Sequence, residues 1–360
     1  MRIDIDGSML EGGGQILRLS IALSAVSGVP LRIYNIRAKR SNPGLRPQHL
    51  TAIKAVAELV GAKVEGLRVG SRELIFTPGR PRGGRFYFDV GTAGATTLVL
   101  QSLLPASAFS PKRVMVEVKG GTNNPMAPPI DYVQRLLLPI LAKMNYHCQV
   151  SLLRRGFYPR GGGVVRAVME PVDKLRTISM LKPGKVVKIT GIAYSCKLPG
   201  HIVERMAKSA EKALTEAGYG DVEIEHEVLQ PEHPKCSLDP GCGILLRAET
   251  NEGALLGADS LGERGKPAEK VGLEAAQSLI KQLSSGASID RYMGDQLIVY
   301  MALADGKSEV RVSELTLHAL TCMEVVKILL GVTVEVEGGL GKTSNILCRG
   351  VGLRRKMEES

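Results

Sequence analysis

The sequence predicts an α+β protein: a main domain of three repeated units and a smaller α/β domain inserted before the last of them. Three observations carry this. Short segments alternating apolar and polar residues recur beside helical-period segments of about 14 residues. The same order returns at a spacing of about eighty residues, the mark of a repeated supersecondary unit. Residues 183–282 break that order and are bracketed by Lys182-Pro-Gly184 and Ser284-Ser-Gly286, which is linker chemistry. The division is therefore 1–182 plus 283–360 for the main domain and 183–282 for the insert.

In chain order, the first pass reads strand 2–6, a Gly-rich turn, helix 15–27, strand 31–37, helix 47–60, then strands 62–66 and 72–77. Pro47 in the first turn and Gly61 past the end bracket the second helix. The second pass reads strand 86–90, helix 94–107, strand 113–119, helix 128–143, then strands 147–152 and 163–169. The third reads helix 290–303, strand 309–314, helix 318–330, then strands 332–336 and 344–349. The insert reads strand 185–192, helix 201–217, strands 221–228, 242–249 and 253–259, and helix 267–283.

Composition narrows the function. A formal net charge of +11 suits a polyanionic partner. Aromatic residues make up only 4% of the chain and Trp is absent, so extensive base stacking is excluded in favour of phosphate recognition. No apolar run approaches the length of a membrane span and no signal-peptide pattern opens the chain, so a cytoplasmic protein is expected. Six cysteines lie at positions 148, 196, 236, 242, 322 and 348 without a CxxC pair. Cys236 and Cys242 near His226 and His233 match no common zinc spacing, and reduced thiols are expected.

Several segments are built for ligands. Glu11-Gly-Gly-Gly-Gln-Ile-Leu-Arg18 is a Gly-rich turn opening a helix, where backbone can approach a ligand and a helix N-terminus favours anions. A plain strand-to-helix turn accounts for the same residues. Arg37-Ala-Lys-Arg-Ser-Asn-Pro-Gly-Leu-Arg-Pro-Gln-His49 gathers four cations and a Gln-His pair before a helix; a solvated basic loop is the competing account. Small-residue loops follow at Gly91–Thr97, Gly120–Pro129 and Arg155–Gly163, and Tyr292-Met-Gly-Asp-Gln296 opens an apolar helix. Gly338-Gly-Leu-Gly-Lys-Thr343 imitates a P-loop but has Val336 where the pattern requires Gly, and it precedes a strand. In Ser313–Met323, His318 falls where a strand gives way to a helix, beside free N–H groups that keep an imidazole neutral and bind phosphate; taken alone, a core or capping histidine is the competing account.

Taken together, Glu11–Arg18, Arg37–His49, Gly120–Pro129 and above all Arg155-Gly-x-x-Pro-x-Gly-Gly-Gly163 make the chain resemble the RNA 3′-terminal phosphate cyclases over nearly its whole length. The resemblance implies βαβαββ units with an inserted domain, and ATP-dependent conversion of an RNA 3′-terminal phosphate to a 2′,3′-cyclic phosphate. It implies that His318, which begins a His-x-x-Thr motif with Thr321, forms the covalent adenylate through Nε2. It places the nucleotide at Gln101, Tyr292, Met293, Gly294, Asp295 and Gln296. Glu11 would engage Mg²⁺ or another divalent metal, and Arg18, Arg37, Arg40 and Gln48 would surround the phosphates. The implied partners are ATP and RNA ending in a 3′-phosphate, with no membrane; oligomeric state is left open. Cys322 departs from the Asn that many relatives carry after the Thr. The alternative function is a non-catalytic, cyclase-like RNA-binding protein in ribosome assembly, and a sugar- or shikimate-type transferase on a related repeat fold is disfavoured by the Arg155–Gly163 run.

Overall fold

A computed structural model describes residues 1–355 and organises the chain in four four-stranded sheets. The first runs β1 (Ile3–Asp6), α1 (Gly14–Ser27), β2 (Leu31–Tyr34), α2 (Pro47–Val60), β3 (Lys63–Glu65) and β4 (Leu74–Thr77), with spatial order β1-β2-β4-β3. Only β1 and β2 pair in parallel, because a helix crosses between them; the remaining neighbours are antiparallel. Gly28 and Gly61 close the two helices with φ of 76° and 59°, a left-handed conformation that glycine adopts at little cost.

The second sheet repeats the order. It comprises β5 (Gly84–Asp89), α3 (Thr96–Ser107), β6 (Val114–Gly120), a helical stretch of three pieces, β7 (Cys148–Arg154) and β8 (Gly163–Met169), arranged β5-β6-β8-β7. The helical stretch is α4 (Ile130–Tyr132), a π-helical turn over Val133–Leu137, and α5 (Leu138–Lys143).

A third sheet has the order β15-β16-β14-β9 and draws on both sides of the insert: β9 (Ser179–Met180) precedes it. The insert holds β10 (Val186–Cys196), α6 (His201–Glu216), β11 (Val222–Leu229), β12 (Gly241–Thr250), β13 (Leu255–Leu261) and α7 (Ala268–Ser284). Its own sheet is ordered β11-β10-β12-β13. Then come α8 (Arg291–Leu303), β14 (Lys307–Val312), α9 (Leu317–Leu330), β15 (Val334–Glu337) and β16 (Ser344–Arg349). Read from β9, the third sheet has the same first-second-fourth-third order as the other two.

One apolar core joins residues of all three of these sheets and their helices, among them Ile21, Leu103, Met301 and Val325. A second is confined to residues 189–287, including Ile189, Met206, Leu246 and Leu279. There α6 and α7 pack closely because Gly272 leaves room for the Met206 carbonyl, into which any Cβ would run.

Two sequence expectations are corrected. The strand expected over 31–37 stops at Tyr34, since Asn35 and Arg37 take φ of 53° and 54° and turn the chain out of the sheet. The two-residue β9 was not expected at all; it is too short to carry a period.

The Arg155 side chain is the largest fully buried one in the protein. Its guanidinium makes two 2.9 Å hydrogen bonds to the Asp131 carboxylate and one of 2.5 Å to Glu227, and it lies 3.9 Å over the Tyr194 ring. Asn123 donates to Asp131 at 3.0 Å and to the Tyr194 hydroxyl at 2.8 Å. Asp131 and Asn123 sit on the second sheet's helical side, whereas Glu227 and Tyr194 belong to the insert. The leading residue of the Arg155–Gly163 run is thus a buried tie between two parts of the chain. Removing one partner of such a pair strands the other charge without water. Arg155→Ala should therefore lower unfolding free energy by roughly 3–5 kcal/mol, read from urea denaturation.

Candidate active site

The loops after β1, β2, β5, β6 and β13, together with the starts of α1, α2, α8 and α9, enclose a cleft of about 920 Å³. Its walls carry Glu11, Gln15, Arg18, Arg37, Arg40, Arg46, Gln48 and His49 from the first unit, and Gln101 from α3. Asn124–Pro128, Tyr292, Asp295, Gln296 and His318 complete it on the other sides. Loops at helix starts place backbone N–H groups and positive dipole ends toward the centre, which suits an anionic ligand.

His318 is the second residue of α9. Thr316 caps that helix, its hydroxyl accepting the Ala319 N–H at 3.1 Å. The imidazole Nδ1 lies 2.7 Å from Gln15 Oε1. An amide oxygen only accepts, so Nδ1 carries the proton and Nε2 is left with a lone pair. The Gln15 amide nitrogen in turn donates to Asp295 at 2.5 Å and to Cys322 Sγ at 3.2 Å. Cys322 therefore takes part in orienting the histidine through Gln15. Partial burial, then the charges of Arg18 and Arg40, hold the His318 pKa below its ordinary 6.5. The neutral imidazole is the resting form at neutral pH.

Thr321 accepts the Glu11 backbone N–H at 3.4 Å and donates to the Leu317 carbonyl at 2.7 Å, tying the Gly-rich turn to α9. One Glu11 oxygen pairs with Arg40; the other is buried and has no hydrogen-bond partner. A carboxylate oxygen without a donor, facing an anion site, fits a hard cation that takes its other ligands from phosphate and water. Among the described residues, no group of three His, Cys, Asp or Glu could hold a metal by itself.

The arginines are spread over the cleft rather than stacked in one patch. Arg18 donates to Gln101 at 3.0 Å, and burial brings its pKa down to about 10. Arg37 spends one nitrogen on the Asn42 and Gly44 carbonyls, at 2.6 and 3.0 Å, so it also fixes its own loop. Gln48 accepts from Ala95 N–H at 3.4 Å and so joins the first unit's loop to the second's. Of the residues at the start of α8, Tyr292, Asp295 and Gln296 line the cleft, whereas Met293 and Gly294 are buried beneath it. Burial raises Asp295 to about 7.

Four features were not among the expected site residues. Gln15 was inside the Gly-rich run; its spacing of three from Arg18 puts both on one helix face. Arg46 and His49 lay within the basic loop. Asp290 is the N-cap of α8: its carboxylate accepts from Tyr292 and Met293 N–H at 2.9 Å, from the Tyr132 hydroxyl at 2.7 Å and from Gly257 N–H at 3.1 Å. An Asp immediately before a helical pattern is a legible cap signal. The last feature is the insert's own contribution of Asp259, Ser260, Leu261, Glu263 and Lys266 to the cleft, which no motif announced.

The model of the family "RNA 3'-terminal phosphate cyclase" matches residues 9–336. The chain belongs to that family. Relatives of that name agree along both lengths. The protein from Ignicoccus hospitalis is 48% identical over 98% of this chain and 100% of its own, and that from Hyperthermus butylicus is 50% identical over 94% of each. The Pyrococcus furiosus protein is 46% identical over 96% of this chain and 98% of its own. Among solved structures, the enolpyruvyl transferase NikO from Streptomyces tendae covers 99% of this chain and 50% of its own at TM-score 0.38 and 10% identity, too loose a likeness to define the fold. No helix among the described residues is long and apolar enough to cross a membrane.

His49 gives this family member a pH signature. Its Nδ1 accepts the Arg46 N–H at 3.1 Å, and burial, with Arg18, Arg37 and Arg46 around it, pushes its pKa down to about 3. Between there and 6.5 the unfolded chain binds a proton that the folded chain refuses, so this residue's contribution to stability rises with pH across that window and is lost toward its acid end. His49→Gln should narrow the gap between urea midpoints measured at about pH 4.5 and 7. The wild-type His49 resonance should not titrate above about pH 5.

Proposed function

We infer that this chain converts an RNA 3′-terminal phosphate to a 2′,3′-cyclic phosphate at the expense of ATP, through a histidyl-AMP on His318. The observation that carries the reading is the Nδ1–Gln15 contact inside a basic cleft, which leaves Nε2 of a neutral imidazole free to attack. The family membership and the names of full-length relatives support the same reaction class.

In the first step the Nε2 lone pair attacks the ATP α-phosphorus, the bond to the bridging oxygen breaks and pyrophosphate leaves. The imidazolium that forms keeps its Nδ1 proton on Gln15, and the Asp295 carboxyl behind Gln15 holds the amide in the one orientation that accepts it. In the second step an oxygen of the RNA 3′-phosphate displaces the imidazole from the AMP phosphorus. In the third, the vicinal 2′-OH attacks the 3′-phosphorus, loses its proton and expels AMP. A phosphate monoester has no good leaving group, so activation is what makes closure feasible; the adjacent hydroxyl then profits from a large effective molarity.

Arg18, Arg37 and Arg40 would bind the phosphate groups, with Gln101, Tyr292, Asp295 and Gln296 on the nucleoside side. Glu11, with its unpartnered oxygen, is the residue that would hold a divalent metal, whose charge neutralises the triphosphate. The segment 183–282 is proposed as a domain of its own around its separate core, and the cytoplasm as the site of action.

The test is incubation with α-labelled ATP and Mg²⁺ followed by denaturing electrophoresis. Wild type should carry acid-labile, alkali-stable AMP, and His318→Asn should carry none. Labelling that survives the substitution removes His318 from the mechanism. A wild type that never labels leaves only a non-catalytic RNA-binding role. RNA with a 3′-phosphate but a 2′-O-methyl terminus should stall as the adenylylated species. Gln15→Ala frees Nδ1 and the choice of tautomer; self-adenylation should slow roughly 10–100-fold, the usual cost of losing an imidazole's orienting partner. In wild type the acid limb of that half-reaction should fall below pH 6.5, the direction set by the lowered His318 pKa.

A further inference from the structure

The Arg155–Gly163 run is the most specific segment of the sequence, yet only its buried arginine has been accounted for. The rest forms a tight turn, closed by Gly161 N–H donating to Phe157 O at 2.7 Å, with Tyr158, Pro159 and Arg160 at its tip. The turn packs against the loop that supplies part of the cleft wall: a Cβ on Gly161 would sit 2.7 Å from Ala93 Cα and 3.0 Å from Thr92 O. Ala93 itself lines the cleft, next to Gly94 and Ala95, which abut Gln48. The tip is pinned from the insert as well. Arg160 binds the Asp239 carboxylate through its backbone N–H at 2.9 Å and its guanidinium at 2.8 Å, and reaches Leu238 O at 2.5 Å.

On this rigid turn the Tyr158 side chain stands 74% exposed. Among the described residues only two other aromatic side chains are comparably open. Tyr87, at 58%, lies on β5; Tyr292, at 40%, faces the nucleotide side of the cleft. Cations surround the Tyr158 turn: Arg154 donates to Gly162 O at 2.7 Å, and Lys197 donates to the same Leu238 carbonyl that Arg160 uses, at 2.8 Å. A single exposed aromatic is ordinary on a surface. An exposed ring on a turn fixed at many points, ringed by cations and continuous with a phosphate-binding wall, is the local arrangement that single-stranded nucleic acid uses.

We propose that Tyr158 is a stacking platform for a base near the 3′ end of the RNA, and that the Phe157–Gly161 turn with Arg154, Arg160 and Lys197 is the ledge along which the strand leaves the cleft. This rests on the cyclase reading and adds what that reading lacks, a way to tell an RNA end from any other phosphate monoester. Arginines recognise the phosphate; a ring on the cleft rim recognises that a nucleoside chain follows it. One platform is also all that so aromatic-poor a chain has to offer there.

The experiment compares wild type, Tyr158→Ala and Tyr158→Phe in two half-reactions, self-adenylation with ATP and cyclisation of a 3′-phosphorylated oligoribonucleotide. Tyr158→Ala should raise the KM for the oligonucleotide roughly 5–150-fold, the range for losing one stacked base. It should leave AMP labelling of the protein within about twofold, and Phe should behave as wild type because the ring is kept. A set of oligonucleotides with an abasic residue at each of the last three positions identifies the stacked base: at one position the wild type should lose as much as the Ala variant, with no further loss when both changes are combined. The proposal is overturned if Ala leaves the oligonucleotide KM unchanged, if Phe is as impaired as Ala, or if self-adenylation falls in parallel. If wild-type protein yields no cyclic phosphate, it is the cyclase reading that fails; binding of the same oligonucleotides, measured by fluorescence anisotropy, still separates Tyr from Ala.

Discussion

The Asp290 carboxylate is the point on which the arrangement turns. It is fully enclosed, and burial raises its pKa to about 6 even against four donors that favour the charged form. The four donors come from three places: two from the first turn of α8, one from Tyr132 in the second unit's helical stretch, one from the backbone of β13 in the insert. A carboxylate there fixes three parts of the chain relative to one another, and the helix it caps presents Tyr292, Asp295 and Gln296. The equally buried Asp131–Arg155 pair likewise joins the second unit to the insert, through Glu227 and Tyr194, and Tyr132 is the residue that follows Asp131. Ion pairs so deep contribute little net stability against an apolar alternative. Their effect is on geometry, because any displacement strands a charge where water cannot reach it.

The cleft meets two electrostatic requirements at once. Its walls carry arginines, which suit anionic ligands; burial and those arginines together make protonation of an imidazole there costly, so the histidine stays neutral. The two requirements help each other. His318 and His49 are both shifted downward first by burial and then by arginines of the cleft, Arg18 being common to both. A histidine beside acids would instead have been held protonated, with no lone pair at Nε2. The nearest acid in the chain of contacts, Asp295, is held off by the Gln15 amide, which transmits orientation without bringing a full charge against the ring.

Much of this was legible in the chain. Helices with a clear apolar period and a glycine stop, such as 47–60 and 318–330, lie within a residue of their expected bounds. His318 was legible because a motif and a helix start coincided on it. What escaped did so for physical reasons. β9 is two residues long and earns its place only by pairing with β14, a contact 130 residues away in sequence. The turn at Asn35–Arg37 takes left-handed φ at two non-glycine residues; Asn35 is a type enriched there, but Arg37 is not and marks no turn in the sequence. Gln15 was passed over because a glutamine reads as surface until its partner, 303 positions away, is known. The insert's share of the cleft rests on the packing of β13 beside Asp290, and packing of separate segments has no local pattern to read.

The position of β9 has a consequence for how the protein comes into being. A chain leaving the ribosome completes its first two sheets by residue 169; the third receives its opening strand at Ser179–Met180, and the partner of that strand, β14, emerges only some 130 residues later. The insert, whose sheet is drawn wholly from residues 186–261, is free to fold in the interval. His318 meets Gln15 only after the 303 positions that separate them have been made. A nascent chain therefore displays the arginines of the first unit long before His318 is positioned against Gln15, so the cleft is completed in one late step rather than growing with chain length.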